Sequence, residues 1–288
     1  MTIKNPSSHK NPEPESSVLY IVGTPIGNLN DLSLRALNIL KNVSLIACED
    51  TRQTKKIMSK FEFKNHLISF NAHNSEIKIP KIINYINSGK SIALVSDAGM
   101  PSICDPGENL VRDVNSKGIK IVCIPGPCAA LTAIVSSGLP SSKFIFEGFL
   151  PRKKSEREKI LLEASQNSKT TVIYESPHRL MNLLSQLKEY CGGEREIQVF
   201  RELTKKFEEH VGDTVDEVLE FFEGKEILGE ITVVIKGINK KVGRPEFDEF
   251  YLKVELNELI KAGLSLSSAS RYLAKKHNLS KNLIYKLY

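Results

Sequence analysis

Residues 91–107 read SIALVSDAGMPSICDPG. Ser91 to Val95 is a short aliphatic and β-branched run bounded by Gly89, the pattern of a buried strand. Asp97, Gly99, Pro101, Asp105, Pro106 and Gly107 follow within a dozen residues. Glycine permits close backbone approach and proline fixes φ, so two acids among four turn-formers predict a shaped, concave loop behind the strand. In α/β sheets ligands bind beyond the carboxyl ends of strands. An ordinary strand-to-helix turn accounts for the same residues, and this stretch alone is compatible with both readings.

Upstream, Val18 to Val22 reads as a strand that breaks into Gly23-Thr24-Pro25-Ile26-Gly27-Asn28. An amphipathic helix is predicted from about Asp31, with Leu34, Leu37 and Leu40 at helical spacing. The turn has neither the G-x-G-x-x-G nor the P-loop spacing, and Pro25 removes an N–H that a phosphate cradle would use, so nucleotide phosphate binding is disfavoured. Val43 to Ala47 is a second strand, running into Cys48-Glu49-Asp50-Thr51-Arg52. Those polar residues suit a helix N-cap, or one wall of a cleft with Arg52 as a phosphate contact. Ser69 to Asn74 is a polar loop before a helix over 75–88, and His73 in it has no second His or Cys at metal-ligand spacing. Beyond residue 107 come a helix over 107–117, a strand over Lys120–Ile124 and a compact turn, Pro125-Gly126-Pro127-Cys128-Ala129-Ala130. Four strand patterns alternating with helices predict a parallel α/β domain over 17–138.

Gly138-Leu139-Pro140 punctuates the chain, and a second α/β domain is predicted over 139–238. Its strands are Phe144 to Gly148, Thr170 to Tyr174, Ile197 to Phe200 and the run between Gly229 and Gly237, with a helix over 215–222. Some are separated by helices and others are hairpin-like, which predicts a mixed sheet. Polar clusters close three of these strands: Glu175/His178/Arg179, Arg201/Glu202/Lys205 and Gly229-Glu230. Set against three shaped loops of the first domain, they predict a cleft between the two domains.

The chain has 288 residues, 41% of them hydrophobic, and no apolar run of membrane-spanning length; residues 1–16 read as a disordered tail. Five cysteines without a C-x-x-C pair suit a reducing compartment, hence a soluble cytoplasmic protein with no metal site. The net charge is +6, and residues 238–288 hold ten Lys/Arg against five acids. That imbalance points to a polyanionic partner. After a linker at Gly243-Arg244-Pro245, helical patterns run over 247–261, 267–277 and 281–288, with Ser280 as a cap. Ala269, Leu273, Ala274, Leu279, Ser280 and Tyr285 fit a helix-turn-helix, placing Lys281, Asn282 and Lys286 on its second helix. A helical cap on the second domain fits as well.

GTPIGNLNDLSLRAL (23–37), CEDTR (48–52), SDAGMPSICDPG (96–107), IPGPCAALTA (124–133), GFLPRK (148–153), YESPHR (174–179) and RELTKKFEE (201–209) occur in this order. The chain thereby resembles the ribosomal RNA small subunit methyltransferase I family of the tetrapyrrole methylase superfamily. The resemblance covers about Val18 to Gly237. It implies two α/β domains of the tetrapyrrole-methylase type with the active site in the cleft between them, plus the small C-terminal helix-turn-helix-like domain. It further implies S-adenosylmethionine (SAM) as cofactor, a homodimer, and 2′-O-methylation of a specific cytidine in the decoding region of 16S rRNA in the small ribosomal subunit.

By the same resemblance, SAM is expected to touch Ser96, Asp97, Ala98, Gly99, Met100, Ile103, Asp105, Pro127, Cys128, Ala129, Phe149, Leu150, Tyr174, Glu175, Glu230, Ile231 and Thr232. The RNA is expected to meet Thr24, Pro25, Asn28, Arg52, Arg152, Lys153, Arg201, Lys275 and Lys281. A ribose hydroxyl is a poor nucleophile, so a base or a cation that steadies alkoxide should assist. Glu49, Asp50, Glu175, Glu202 and Lys205 are the candidates, with Lys205 and Glu175 favoured as the catalytic pair, while Asp97 and Asp105 become shapers of the pocket. A tetrapyrrole C-methyltransferase and a protein methyltransferase of the diphthamide-pathway kind share the fold, but neither explains the basic tail. A non-enzymatic nucleic-acid-binding regulator explains the tail and leaves the α/β cleft without a task.

Overall fold

The computed structural model describes residues 12–238, 249–277 and 279–288. The chain divides into two compact units, 1–238 and 239–288.

The first unit contains two five-stranded sheets. The first comprises β1 (Val18–Val22), β2 (Leu45–Cys48), β3 (Leu67–Ser69), β4 (Ile92–Val95) and β5 (Lys120–Ile124), all parallel, in the order β3-β2-β4-β1-β5. Alternate residues of a strand face opposite ways. Val18, Tyr20, Val22, Ile46 and Cys48 accordingly pack under α1 (Leu34–Asn42) and α2 (Thr51–Lys60), in a core with Ala36, Ile39, Leu40 and Ile57. Leu19, Leu45, Ala47 and Leu94 face the other way, against Ile79, Ile82, Ile83 and Ile86 of α3 (Ser75–Asn87) and Leu110 and Val114 of α4 (Glu108–Ser116). Helices on both faces bury β2 and β4 entirely and β1 nearly so, which is why these three read as continuous apolar runs.

Three expectations need adjustment. A fifth strand, β3, was hidden because it has three half-buried residues and no room for a pattern. The first helix begins at Leu34 behind a 3-10 turn at Leu29–Asp31, and the Ser33 hydroxyl caps it by accepting from Ala36 N at 3.1 Å. Leu34 is 86% exposed, so the buried stripe is Ala36, Ile39 and Leu40 rather than one through Leu34. Within the tail expected over 1–16, residues 1–11 lie outside the described residues, whereas Glu13 pairs with Arg35 at 2.6 Å and Glu15 with Lys120 at 2.8 Å.

The second sheet has β6 (Phe144–Phe149), β7 (Thr170–Glu175), β8 (Glu196–Arg201), β9 (Glu209–Thr214) and β10 (Ile231–Ile235) in the order β6-β7-β10-β8-β9. Only β6 and β7 run parallel; the remaining pairs are antiparallel, so the sheet is mixed. β9 escaped the sequence reading because EHVGDT is a mostly polar edge strand with a glycine in it. One face packs on α6 (Lys154–Gln166), α7 (Pro177–Cys191) and α8 (Val215–Phe222) through Leu161, Leu180, Leu184 and Val218. The opposite face carries α5 (Ala129–Ser136), whose Ala130, Ala133 and Ile134 meet Val172, Phe200 and Val234. Thus the helix that follows β5 of the first sheet packs on the second sheet. Its small residues permit that close approach.

The second unit comprises α9 (Glu249–Lys261), α10 (Leu266–Lys276) and α11 (Lys281–Tyr285) around Leu252, Leu256, Ala269, Leu273, Ala274 and Ile284. Ser265 and Ser280 cap α10 and α11. Ala269, Leu273 and Ala274 are core residues as the helix-turn-helix pattern requires, but Tyr285 is exposed. The linker Gly243-Arg244-Pro245 lies outside the described residues. No helix among the described residues is long and apolar enough to cross a membrane.

Candidate active site

Because β4, β1 and β5 are neighbours, the loops that leave their carboxyl ends are neighbours too. Gly23 and Gly126 lie back to back: a Cβ on Gly126 would sit 2.7 Å from Gly23 Cα. Thr24 pairs with Gly99 in an antiparallel bridge, Thr24 N donating to Gly99 O at 2.8 Å and Gly99 N to Thr24 O at 3.1 Å. Gly99 has φ +78°, a left-handed conformation that costs glycine nothing. Asp97 turns toward β2, its Oδ1 accepting from Asp50 N at 2.9 Å. The loop after β4 is thus fastened to the ends of both neighbouring strands, β1 and β2.

Across from these loops, the ends of the second sheet close a cavity of about 360 Å³. Ile26, Ala98, Gly99, Met100, Ile103, Cys104, Asp105, Cys128 and Ala129 form one side. Phe149, Tyr174, Glu175, Ser176, Pro177, Leu203, Gly229, Glu230, Ile231 and Thr232 form the other. Tyr174 is the hinge of the wall: its ring meets Phe146 and Phe149 edge-on at 4.9 and 5.6 Å, and its hydroxyl accepts from Ala130 N at 3.0 Å. Burial pushes its phenol well above the usual range, so it stays neutral.

The charged lining residues are three acids, Asp105, Glu175 and Glu230, with no Lys, Arg or His among the described lining residues. Burial raises the Asp105 carboxyl above the ordinary carboxylate value. Glu175 is only 2% exposed and is raised for the same reason, against opposing pulls from Ser176 N, 2.8 Å from its Oε1, and from Arg179. A carboxyl raised on folding favours the folded state while protonated and loses that contribution as pH climbs through its folded pKa. Glu175→Gln, which keeps the oxygen that accepts from Ser176, is therefore expected to melt above the wild type at pH 8 and level with it near pH 4. Each kcal/mol of relief is worth about 2–4 °C. A variant that melts lower at pH 8 would show that the Arg179 pairing outweighs burial.

Lys205 stands behind Glu230, outside the lining. Its ammonium donates to Glu202 Oε1 at 2.7 Å and to Glu230 Oε2 at 3.0 Å. Burial opposes its charge, but the two carboxylates win and raise it above the ordinary lysine value. The loop holding it reaches the first sheet, where Asn28 N donates to Thr204 Oγ1 at 3.1 Å and Gly27 abuts the Lys205 stem.

Of the seventeen positions expected to touch a cofactor, the cavity gathers Ala98, Gly99, Met100, Ile103, Asp105, Cys128, Ala129, Phe149, Tyr174, Glu175, Glu230, Ile231 and Thr232. Ser96 is buried beneath the loop and Asp97 faces Asp50. Pro127 is outside the lining, and Leu150, just past the end of β6, packs into the core with α6 and α7. Ile26, Cys104, Ser176, Pro177, Leu203 and Gly229 were missed. The signals for Ile26 and Leu203 were present, each being an apolar residue inside an otherwise polar turn.

The positions expected to meet RNA divide by exposure. Thr24 and Pro25 are buried, and Thr24 is held in its bridge to Gly99. Asn28, Arg152, Lys153 and Lys275 are exposed. Arg52 is exposed and forked onto Asp50, and Lys153 pairs with Glu156 at 2.9 Å. Arg201 is half-buried and tied to Glu209 and Leu228 O, while Lys281 donates to Ser267 Oγ at 2.8 Å. No group of three or more His, Cys, Asp or Glu able to hold a metal occurs among the described residues.

Residues 18–219 match the family model of the Tetrapyrrole (Corrin/Porphyrin) Methylases. Ribosomal RNA small subunit methyltransferase I of Bacillus subtilis (strain 168) is 42% identical over 281 residues, 96% of each chain. The protein of the same name from Thermotoga maritima is 47% identical over 219 residues, 76% of this chain and 98% of that one. Among solved structures, uroporphyrin-III C-methyltransferase from Thermus thermophilus, complexed with S-adenyl homocysteine, superposes with a TM-score of 0.54 at 15% identity, over 75% of this chain and 96% of its own. That last likeness is one of fold alone. Sequence identity at this level, sustained along nearly the whole length of the Bacillus relative, settles membership: the chain belongs to the tetrapyrrole methylase family, in its ribosomal RNA small subunit methyltransferase I group.

Proposed function

We propose that the chain moves the methyl group of SAM to the ribose 2′-hydroxyl of a specific cytidine in the decoding region of 16S rRNA, acting in the cytoplasm as a homodimer on the small ribosomal subunit. The observation that carries this reading is the 42% identity to the Bacillus subtilis ribosomal RNA small subunit methyltransferase I over 96% of both chains.

The cavity suits the cofactor. Its volume is within the range of small-molecule sites. Met100, Ile103, Phe149 and Tyr174 offer apolar and aromatic surface to an adenine, and Thr232 and Ser176 offer hydroxyls. The carboxylates Asp105, Glu175 and Glu230 favour a ligand carrying an ammonium and a sulfonium and repel one carrying phosphates. When bound, SAM supplies a methyl group already activated on a cationic sulfur. The chain's task is then to exclude water, orient the acceptor and manage its proton. Lys205, held cationic by two carboxylates, would steady negative charge on the ribose oxygen. Glu175, with Oε1 already engaged by Ser176 N, serves the cofactor side rather than the proton. Exposed Arg52, Arg152 and Lys153 would take RNA phosphates.

Incubation with methyl-labelled SAM and, in separate reactions, small ribosomal subunits, naked 16S rRNA and uroporphyrinogen III tests this reading. Label in an rRNA ribose is expected; label in the tetrapyrrole alone, or in a base, would overturn it.

A further inference from the structure

Two segments of the second sheet, the loop after β8 and the entry to β10, meet beside the cavity through Glu202 and Glu230. Glu202 N donates to Glu230 O, and Glu230 N donates to Glu202 Oε1, both at 2.9 Å. The same Oε1 accepts from the Lys205 ammonium at 2.7 Å. Glu202 therefore takes two donors on one oxygen, and the Lys205 charge helps hold its carboxyl below the usual range despite burial.

The backbone is shaped to allow this. Glu202 has φ +55°, a conformation that costs a residue with a side chain roughly 1–2 kcal/mol. Gly229 has φ +91°, and a Cβ there would lie 2.5 Å from Glu202 Cδ. Such outliers persist where the surroundings hold them, and they cluster at functional sites. From Thr204, the Asn28 N–H bond and the contact of Gly27 with the Lys205 stem fix the loop against the first sheet, whose loops form the opposite wall.

An ammonium has three N–H donors. Lys205 commits two, to Glu202 and Glu230; among the described residues the third meets no acceptor. Glu230, 75% exposed at its side chain, is a lining residue and the carboxylate partner that stands next to the ligand space.

We propose that Glu202 is a positioning residue that sets Lys205 and Glu230 side by side as the pair that receives the acceptor hydroxyl. The Glu230 carboxylate would take the hydroxyl proton; the O–H electron pair stays on oxygen, where the third Lys205 N–H holds the charge until that pair forms the bond to the transferred methyl carbon, the broken C–S pair leaving on sulfur. The proton then passes from Glu230 to water, so the pair is returned unchanged. This role rests on the reading of the acceptor as a ribose hydroxyl.

Glu202→Gln tests it, because glutamine keeps the oxygen that accepts from Glu230 N and loses only the charge that orders Lys205. Single-turnover methylation of small subunits is expected to fall about 10-fold in Glu202→Gln and about 100-fold in Glu230→Gln and Lys205→Met. In Glu202→Gln, whose side chain lies outside the cavity lining, SAM affinity and the KM for subunits should remain within about twofold, and Glu202→Gln added to Lys205→Met should cost nothing more. A wild-type rate in Glu202→Gln or Glu230→Gln overturns the proposal, as does a loss of SAM affinity in Glu202→Gln that accounts for its lost rate. Failure of the wild type to label rRNA would instead sink the functional reading itself, and the two failures are told apart by that control.

Discussion

Gly126→Val is expected to yield protein that fails to fold or melts far below the wild type, with no measurable SAM binding. The first Cβ atom alone would sit 2.7 Å from Gly23 Cα and 2.8 Å from Gly23 C. Both neighbours are backbone, so no rotamer change relieves the clash, and the strand ends of β1 and β5 would have to separate. Gly23 N also donates to Ile124 O at 3.1 Å, a bond that separation breaks. Overpacking within a rigid core costs about 1–3 kcal/mol, and displacing two strand ends adds to that. The consequence reaches the cavity through Thr24, next to Gly23, whose bridge to Gly99 holds the loop with Ala98, Gly99 and Met100 in the lining. Gly118→Ala is the control. Gly118 also has a left-handed φ, +68°, but a Cβ there meets nothing within 4 Å, so its cost is about 1 kcal/mol of backbone strain. Thermal unfolding by circular dichroism and SAM titration by calorimetry read both variants. Gly126→Val melting within a few degrees of the wild type would show that this contact does not hold the loops.

The same contact marks where sequence reading stops. Both glycine turns, 23–28 and 125–130, were legible as shaped turns following strands. That they touch depends on β5 lying beside β1, and strand order is a long-range fact that local pattern does not carry. Elements with strong periodicity were legible nearly to the residue, as with α8 at Val215–Phe222, where the Thr214/Glu217 capping box marks the start. Those lacking it were not: β3 is three residues long, and β9 is mostly polar because one of its edges has no partner strand. Within the site, one such difference falls at the end of β6. Phe149 reaches the cavity and the next residue, Leu150, the core. The family resemblance supplied the loops; only the fold could say which side chain of each loop faces inward. Lys205 is a further case, since its carboxylate partner Glu230 is 25 residues away in sequence and enters on a different strand.

Removal of residues 239–288 is expected to leave SAM affinity near wild type and to weaken binding to small ribosomal subunits by about 100-fold at 0.1 M salt. Every described lining residue of the cavity lies between Ile26 and Thr232, and the C-terminal unit has a core of its own. The Thermotoga maritima relative is spanned to 98% by 76% of this chain, so about a quarter of this chain has no counterpart in that family member. What the unit brings is charge. No acid follows Glu258, and Glu255 is already paired with Lys276 and in hydrogen-bond contact with His277. Arg271 and Lys275 remain exposed one turn apart on α10, with exposed Tyr272 between them, and Lys281 binds Ser267 one turn before Arg271. This stripe of cations interleaved with an aromatic ring suits a phosphate backbone and unpaired bases. Each cation withdrawn from a phosphate lowers the slope of log affinity against log salt by about 0.7–0.9, so a truncation that withdraws about four of them flattens it by about three. Filter binding across a salt series, beside calorimetry with SAM, reads both quantities. An unchanged slope would remove the unit from the RNA interface. A fall in SAM affinity would make it a structural cap on the α/β part, since the described lining residues of the cavity all belong to the first unit.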